Sequence, residues 1–238
     1  MENEKKIALL IDCDNARAEA IWGIMEALSN HGETSIRRAY GNWKQNSAWE
    51  DKLHPFAIQP VQQFAYTKGK NATDLAMTID AMEILFAENV DIFAIVSSDS
   101  DFTPLAMKLR AKSKRVLGFG EKKTPQPFID SCNEFVYVDG FRRPTENGGA
   151  ADGVEKWDKK RLRSETRVMN AIRKAIDEEM DDDGWALASA VSQQVNRQIP
   201  LSPRNYGYVR WAQLVQATEF FETKKNSAGQ LCFRLKKK

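Results

Sequence analysis

Two short runs of this chain, Ile7-Ala8-Leu9-Leu10-Ile11 and Ile92-Phe93-Ala94-Ile95-Val96, are apolar at every successive position. Side chains alternate faces along a strand, so a strand with this pattern is covered on both sides, as in a parallel sheet between helices. Further β-branched runs at Ser35–Tyr40, Gln59–Phe64, Arg115–Phe119 and Phe135–Val138 alternate with helical stretches at Ala16–His31, Asp74–Phe86 and Phe102–Lys112. The alternation predicts an α/β three-layer, Rossmann-like domain around a parallel central sheet. In such sheets ligands bind beyond the carboxyl ends of the strands, so the residues following each run are where chemistry is to be sought.

Those residues are acidic. The first run continues into Asp12-Cys13-Asp14-Asn15, and the second into Ser97-Ser98-Asp99-Ser100-Asp101. Between them Lys68-Gly69-Lys70-Asn71-Ala72-Thr73-Asp74 leads into a helix that also carries Asp80. Two carboxylates about 4 Å apart repel by roughly 4 kcal/mol at an effective dielectric of 20, so several at one rim need a cation or must take up protons. Oxygen-only donors suit Mg²⁺ or Mn²⁺, which support metal-assisted hydrolysis of phosphodiesters. Asp80 stands about 240° around the helix from Asp74, so Asp74, in the first turn, is the better ligand and Asp80 bonds elsewhere. Each aspartate has a structural alternative: Asp101 as a helix cap, Asp74 as a dipole partner, Asp14 as a turn residue. Only two histidines, His31 and His54, and three scattered cysteines, Cys13, Cys132 and Cys232, are present. Imidazole metal sites, histidine triads and CxxC motifs are therefore poorly supplied.

Gly, Pro, Asn and Asp concentrate around residues 143–160, which reads as a linker between a domain at 1–142 and a smaller one at 161–238. Charge also changes across it: residues 1–145 hold 18 Lys and Arg against 20 Asp and Glu, and residues 146–238 hold 17 against 13. In the smaller domain, a helix at 164–180, a second within Ala186–Arg197 and a third from Ser202-Pro203 through Val215 precede a hairpin of Phe220–Thr223 and Leu231–Leu235. Three helices and a hairpin make a winged-helix domain. Asp181-Asp182-Asp183 reads as a solvated turn, and Trp211, on a stripe with Leu214 and Val215, as a core residue. Arg204, Tyr206 and Arg210 interleave cations with an aromatic ring, a composition suited to RNA, although Tyr206 could equally be a core anchor. Lys68 and Lys70 flank the acidic rim and are candidates for holding an RNA backbone, with Arg37 and Arg38 weaker ones. The N-terminus lacks an export pattern and no apolar run spans a bilayer, which leads us to expect a cytoplasmic protein without membrane contact.

The motifs IDCDN, KGKNATDLAMTID and VSSDSDFTPL, in that order, resemble the NYN domain, a branch of the PIN-like metal-dependent nucleases, over about residues 5–140. The resemblance implies a fold of the PIN-like type and Mg²⁺- or Mn²⁺-dependent cleavage of RNA, commonly endonucleolytic. It implies Asp12, Asp74 and Asp99 as the core acidic metal-binding positions, Asn15 as their accompanying amide, and Asp101 and Asp80 as further acidic positions. Ser98 stands where many relatives carry glycine. Residues 164–235, through GWALASAVSQQV and PRNYGYVRWAQLVQ, resemble the LOTUS (OST-HTH) domain, which implies an RNA-binding or protein-docking module.

Three functions remain open at this level. The leading one is a ribonuclease with Asp12, Asp74 and Asp99 around one or two ions and Asp101 or Asp14 completing the shell. A non-catalytic RNA-binding adaptor would keep the same residues. Asp12-Cys13-Asp14 after a buried strand also resembles the nucleophile motif of haloacid-dehalogenase-like phosphatases, although Ala16 departs from it. A homodimer is expected because the acidic domain offers few basic surfaces to RNA.

Overall fold

The structure, a computed structural model, describes residues 4–43, 47–63, 72–141 and 155–236. The chain divides into two units, Met1–Gly153 and Val154–Lys238.

The first unit is built on six strands, β1 (Lys6–Asp12), β2 (Glu33–Gly41), β3 (Gln59–Gln62), β4 (Ile92–Val96), β5 (Arg115–Gly120) and β6 (Glu134–Tyr137). They form one sheet in the order β3-β2-β1-β4-β5-β6, and every neighbouring pair is parallel. Successive burial of Ile7 to Ile11 and of Ile92 to Val96 shows that both faces of β1 and β4 are covered. Among the described residues five helices connect the strands: α1 (Ile21–Leu28), α2 (Ser47–Leu53), α3 (Ala72–Ala87), α4 (Thr103–Ala111) and α5 (Gln126–Ser131). The long helix expected at Ala16–His31 is a 3₁₀ turn, Ala18–Ala20, followed by α1. α2 and α5 were not expected. α2 buries Trp49, whose indole N–H donates to the Ala16 carbonyl at 3.3 Å. No helix among the described residues is long and apolar enough to cross a membrane.

The second unit contains α6 (Lys159–Ser164), α7 (Thr166–Glu179), β7 (Ala186–Leu187), α8 (Ala188–Gln198), α9 (Trp211–Ala217), β8 (Phe221–Lys225) and β9 (Leu231–Leu235). The strands make an antiparallel sheet in the order β7-β9-β8, and with the helices this is the expected winged helix. Trp211 is core: its indole N–H donates to Asn196 Oδ1 at 2.7 Å. Asp181 forms the expected turn, its Oδ1 accepting from the N–H groups of Asp183 and Trp185.

Three expectations change here. Ala186 and Leu187 are strand, so the second helix starts at Ala188. Residues 155–158, expected as linker, belong to this unit: the Trp157 N–H donates to the Tyr206 carbonyl and the two rings meet edge to face at 5.0 Å. The third helix is broken. Pro203–Tyr206 is a 3₁₀ turn that stops at Gly207, whose φ of +79° is left-handed, and α9 begins four residues later. A Cβ at Gly207 would lie 2.7 Å from the Cα of Lys156, so the backbone of residue 156 occupies the space a side chain would need.

Candidate metal centre

β1 and β4 are neighbours from which the sheet grows in opposite directions, toward β2 and β3 on one side and β5 and β6 on the other. That reversal is the topological switch point, where connections leave for opposite faces and open a crevice at the carboxyl ends. Asp12 stands at the end of β1, and Ser97 to Asp101 leave the end of β4.

Asp12 is fully buried. Its Oδ1 accepts from the backbone N–H of Asp14 at 3.1 Å and of Asn15 at 3.3 Å, and its Oδ2 accepts from the Ser97 hydroxyl at 2.7 Å. Burial raises its pKa, against the hydrogen bonds from Ser97, Asn15 and Asp14, which favour the ionised form. Ser97 Oγ also accepts from the Asp99 N–H at 3.0 Å, and Asp99 Oδ1 caps the following 3₁₀ turn by accepting from the Asp101 N–H at 2.9 Å. Ser98 Oγ accepts from the Glu121 N–H at 2.9 Å, which ties this loop to the end of β5.

α3 brings the third contribution. Thr73 donates its hydroxyl to Asp14 Oδ2 at 2.8 Å, which ties the start of the helix to the loop after β1. Asp74 follows in the first turn, and carboxylate oxygens of Asp74, Asp99 and Asp101 all lie within 4.8 Å of one another. Burial, then the charges of Asp12, Asp99, Asp101 and Asp14, push the Asp74 carboxyl up to about 6. All five rim aspartates thus act on one small volume. A group of three oxygen donors with one carboxyl raised by burial and by its neighbours' charge fits a hard divalent cation such as Mg²⁺ or Mn²⁺.

Asp12, expected among the ligands, is outside this triad. Its oxygens are held by Ser97, Asp14 and Asn15 beneath the rim, and it acts on Asp74 through its charge. Asn15 serves the site as a donor to Asp12. Asp80 turns away, as its position around the helix required, but onto a strand: it pairs with the Arg38 guanidinium and accepts from the Tyr40 hydroxyl, both on β2. Arg37 is also engaged, donating to the carbonyls of Thr34 and Phe56. Neither arginine has the solvated role expected of at least one of them. Lys68 and Lys70 lie outside the described residues. In the second unit Arg204 and Tyr206, expected on an RNA-binding surface, are only 7% and 5% exposed and belong to the interior, whereas Arg210 is exposed at the start of α9. Ser97 had no assigned role. The signal was its position, the first hydroxyl after a run of five buried apolar residues at a functional strand end.

A family model for the NYN domain matches residues 6–139, more than half of the chain. The chain belongs to the NYN domain family. The NYN unit is accordingly of the PIN-like nuclease type, and an OST-HTH/LOTUS domain follows at residues 163–233. An uncharacterized protein of Methanocaldococcus jannaschii is 33% identical over 139 residues, which make up 57% of this chain and 55% of that protein. The chain therefore spans about half the length of that curated relative. A crystal structure of a protein of unknown function from Vibrio parahaemolyticus is similar at a TM-score of 0.48 and 22% identity, covering 58% of this chain and 96% of that one.

Proposed function

We propose that this NYN protein is a divalent-metal-dependent ribonuclease, cutting endonucleolytically, whose LOTUS domain recruits RNA. The observation that carries the reading is the convergence of Asp74, Asp99 and Asp101 at the switch point of the sheet, with Asp74 raised to about 6 by its surroundings. These three residues would hold Mg²⁺ or Mn²⁺. Bound there, the ion would lower the pKa of a water and offset charge developing on the phosphodiester. Asp99 and Asp101 are held in place through the chain Asp12–Ser97–Asp99–Asp101, and Asp74 through the contact of Thr73 with Asp14. The charge of Asp12 adds to the negative potential that raises the Asp74 carboxyl and that a bound cation would offset. The phosphatase reading is weakened by the same geometry, because a nucleophilic Asp12 would have to be reached by substrate and it is fully buried.

The test is cleavage of end-labelled single-stranded and structured RNAs in Mn²⁺, Mg²⁺ or EDTA by wild type, Asp74→Asn and Asp99→Asn. Metal-dependent cutting that both substitutions abolish, with internal cuts on the labelled ladder, supports the proposal. No cutting by wild type, or cutting that survives both substitutions, refutes it and favours an RNA-binding adaptor.

A further inference from the structure

The basic charge of the second unit is concentrated in one stretch. Residues 155–174 carry eight Lys and Arg against three Asp and Glu, a net +5 that exceeds the +4 of residues 146–238 as a whole. This stretch forms the approach to α6, α6 itself and the first part of α7, and its first eight residues precede the match to the OST-HTH/LOTUS domain.

Its cations are organised on aromatic rings. The Arg161 guanidinium lies 3.9 Å from the centroid of Trp157, and Trp157 is fixed by its ring contact with buried Tyr206 and by the Tyr208 hydroxyl, which donates to its carbonyl at 2.8 Å. A second cluster forms around Phe220, with Arg173 4.7 Å and Arg163 5.9 Å from its centroid. Arg163 is further held by donating from Nε to the Thr218 carbonyl at 2.7 Å. Arg161, Arg163 and Arg173, and Lys160 beside them on α6, are all exposed. A guanidinium resting on a ring loses little freedom on binding and keeps N–H groups in a planar fork that matches phosphate oxygens. By contrast, the Trp185 ring carries Lys224 and Arg234 from the hairpin, and Arg234 is paired with Glu222.

We propose that the α6–α7 face is a binding surface for single-stranded RNA, with Lys160, Arg161, Arg163 and Arg173 contacting its phosphates. The choice of RNA as the polyanion rests on the function proposed above; the surface itself does not. Planar, ring-supported arginines match phosphate oxygens bidentately, and a flexible strand can follow cations spread over α6 and α7.

The test is fluorescence anisotropy of a labelled, unstructured uridine oligomer with the full-length chain carrying Asp99→Asn, in EDTA, across a salt series. Because cleavage is silenced in this background, failure of the nuclease reading leaves the binding result intact. Lys160→Glu with Arg173→Glu is expected to weaken binding at least about tenfold and to reduce the salt slope by about 1.4, the share of two phosphate contacts on a single strand. Lys224→Glu with Lys225→Glu on β8 is expected to leave binding within about twofold. Arg161→Lys, which keeps charge but not the stacked plane, is expected to lose affinity with an unchanged slope. Thermal unfolding checks the fold, and if the double variant is unfolded, Lys160→Glu alone, at an exposed helix position, carries the test with half the change in slope. Undiminished binding by the α6–α7 variants, loss confined to the β8 variant, or no binding by the parent chain overturns the proposal. Equal binding of a poly-glutamate peptide of matched charge also overturns it, in favour of an acidic protein partner.

Discussion

Asp74→Asn makes the chain more stable without metal and removes the stabilisation that metal brings. The Asp74 carboxyl titrates at about 6 against an ordinary 3.8, so the folded state holds this proton more tightly than the unfolded chain does. Its contribution to stability is complete below pH 3.8 and is lost as pH rises through about 6, leaving the ionised group a liability at neutral pH. At about 1.4 kcal/mol per unit, the difference corresponds to roughly 3 kcal/mol for a group shielded from water. Asp74 is only half-buried, and screening reduces this to about 1 kcal/mol. For a domain of this size that is a rise of about 3–4 °C in the Tm of the NYN unit. Scanning calorimetry at pH 7.5 in EDTA measures it, and repetition at pH 4 should bring the two curves together. Saturating Mg²⁺ or Mn²⁺ should then raise the wild-type Tm, by about 2.7 kcal/mol of stability at a hundredfold excess over Kd, and leave Asp74→Asn nearly unmoved. A variant that is less stable than wild type in EDTA, or that gains as much from metal, would refute the electrostatic account of the rim.

Metal affinity should follow the same titration, falling close to tenfold per unit as pH drops below about 6, because proton and cation compete for Asp74; calorimetric titration with Mn²⁺ between pH 5 and 8 measures this. Ser97→Ala leaves buried Asp12 without its hydroxyl donor and frees the Asp99 N–H, which should cost about 1–3 kcal/mol in urea unfolding and depress cleavage. Gly207→Ala forces a side chain into left-handed backbone and against Lys156, and should destabilise the second unit by about 3 kcal/mol while leaving metal affinity unchanged. Denaturation followed by tryptophan fluorescence, with metal titration of the same sample, tests both halves of that statement.

The parallel sheet was legible because its inner strands are apolar at every position, a pattern with few other uses, and the acidic rim because it follows two of those strands. α2 and α5 were not, since helices of seven and six residues are too short to display a period against flanking loops. The break at Gly207 escaped because its cause is the backbone of Lys156, 51 residues earlier in the chain. Arg204 illustrates a related difficulty. A cation between Pro203 and Tyr206 reads as surface, yet the 3₁₀ turn those neighbours set up carries it inward. Asp12 was recognised as important, but its role depends on Ser97, 85 residues away, and a hydroxyl's partner is not encoded in its immediate neighbours.

That separation has a consequence for how the site comes into being. Asp12 and Ser97 meet only once β1 and β4 have paired, and β2, β3 and α3 are all inserted between them in the chain. Long-range parallel pairing of this kind forms slowly, and the carboxylates gather only as it closes. A cation therefore finds no scattered ligands to template in the unfolded chain. It acts on contacts completed late, so its kinetic signature is a slower unfolding limb in a chevron plot, with the folding limb scarcely moved.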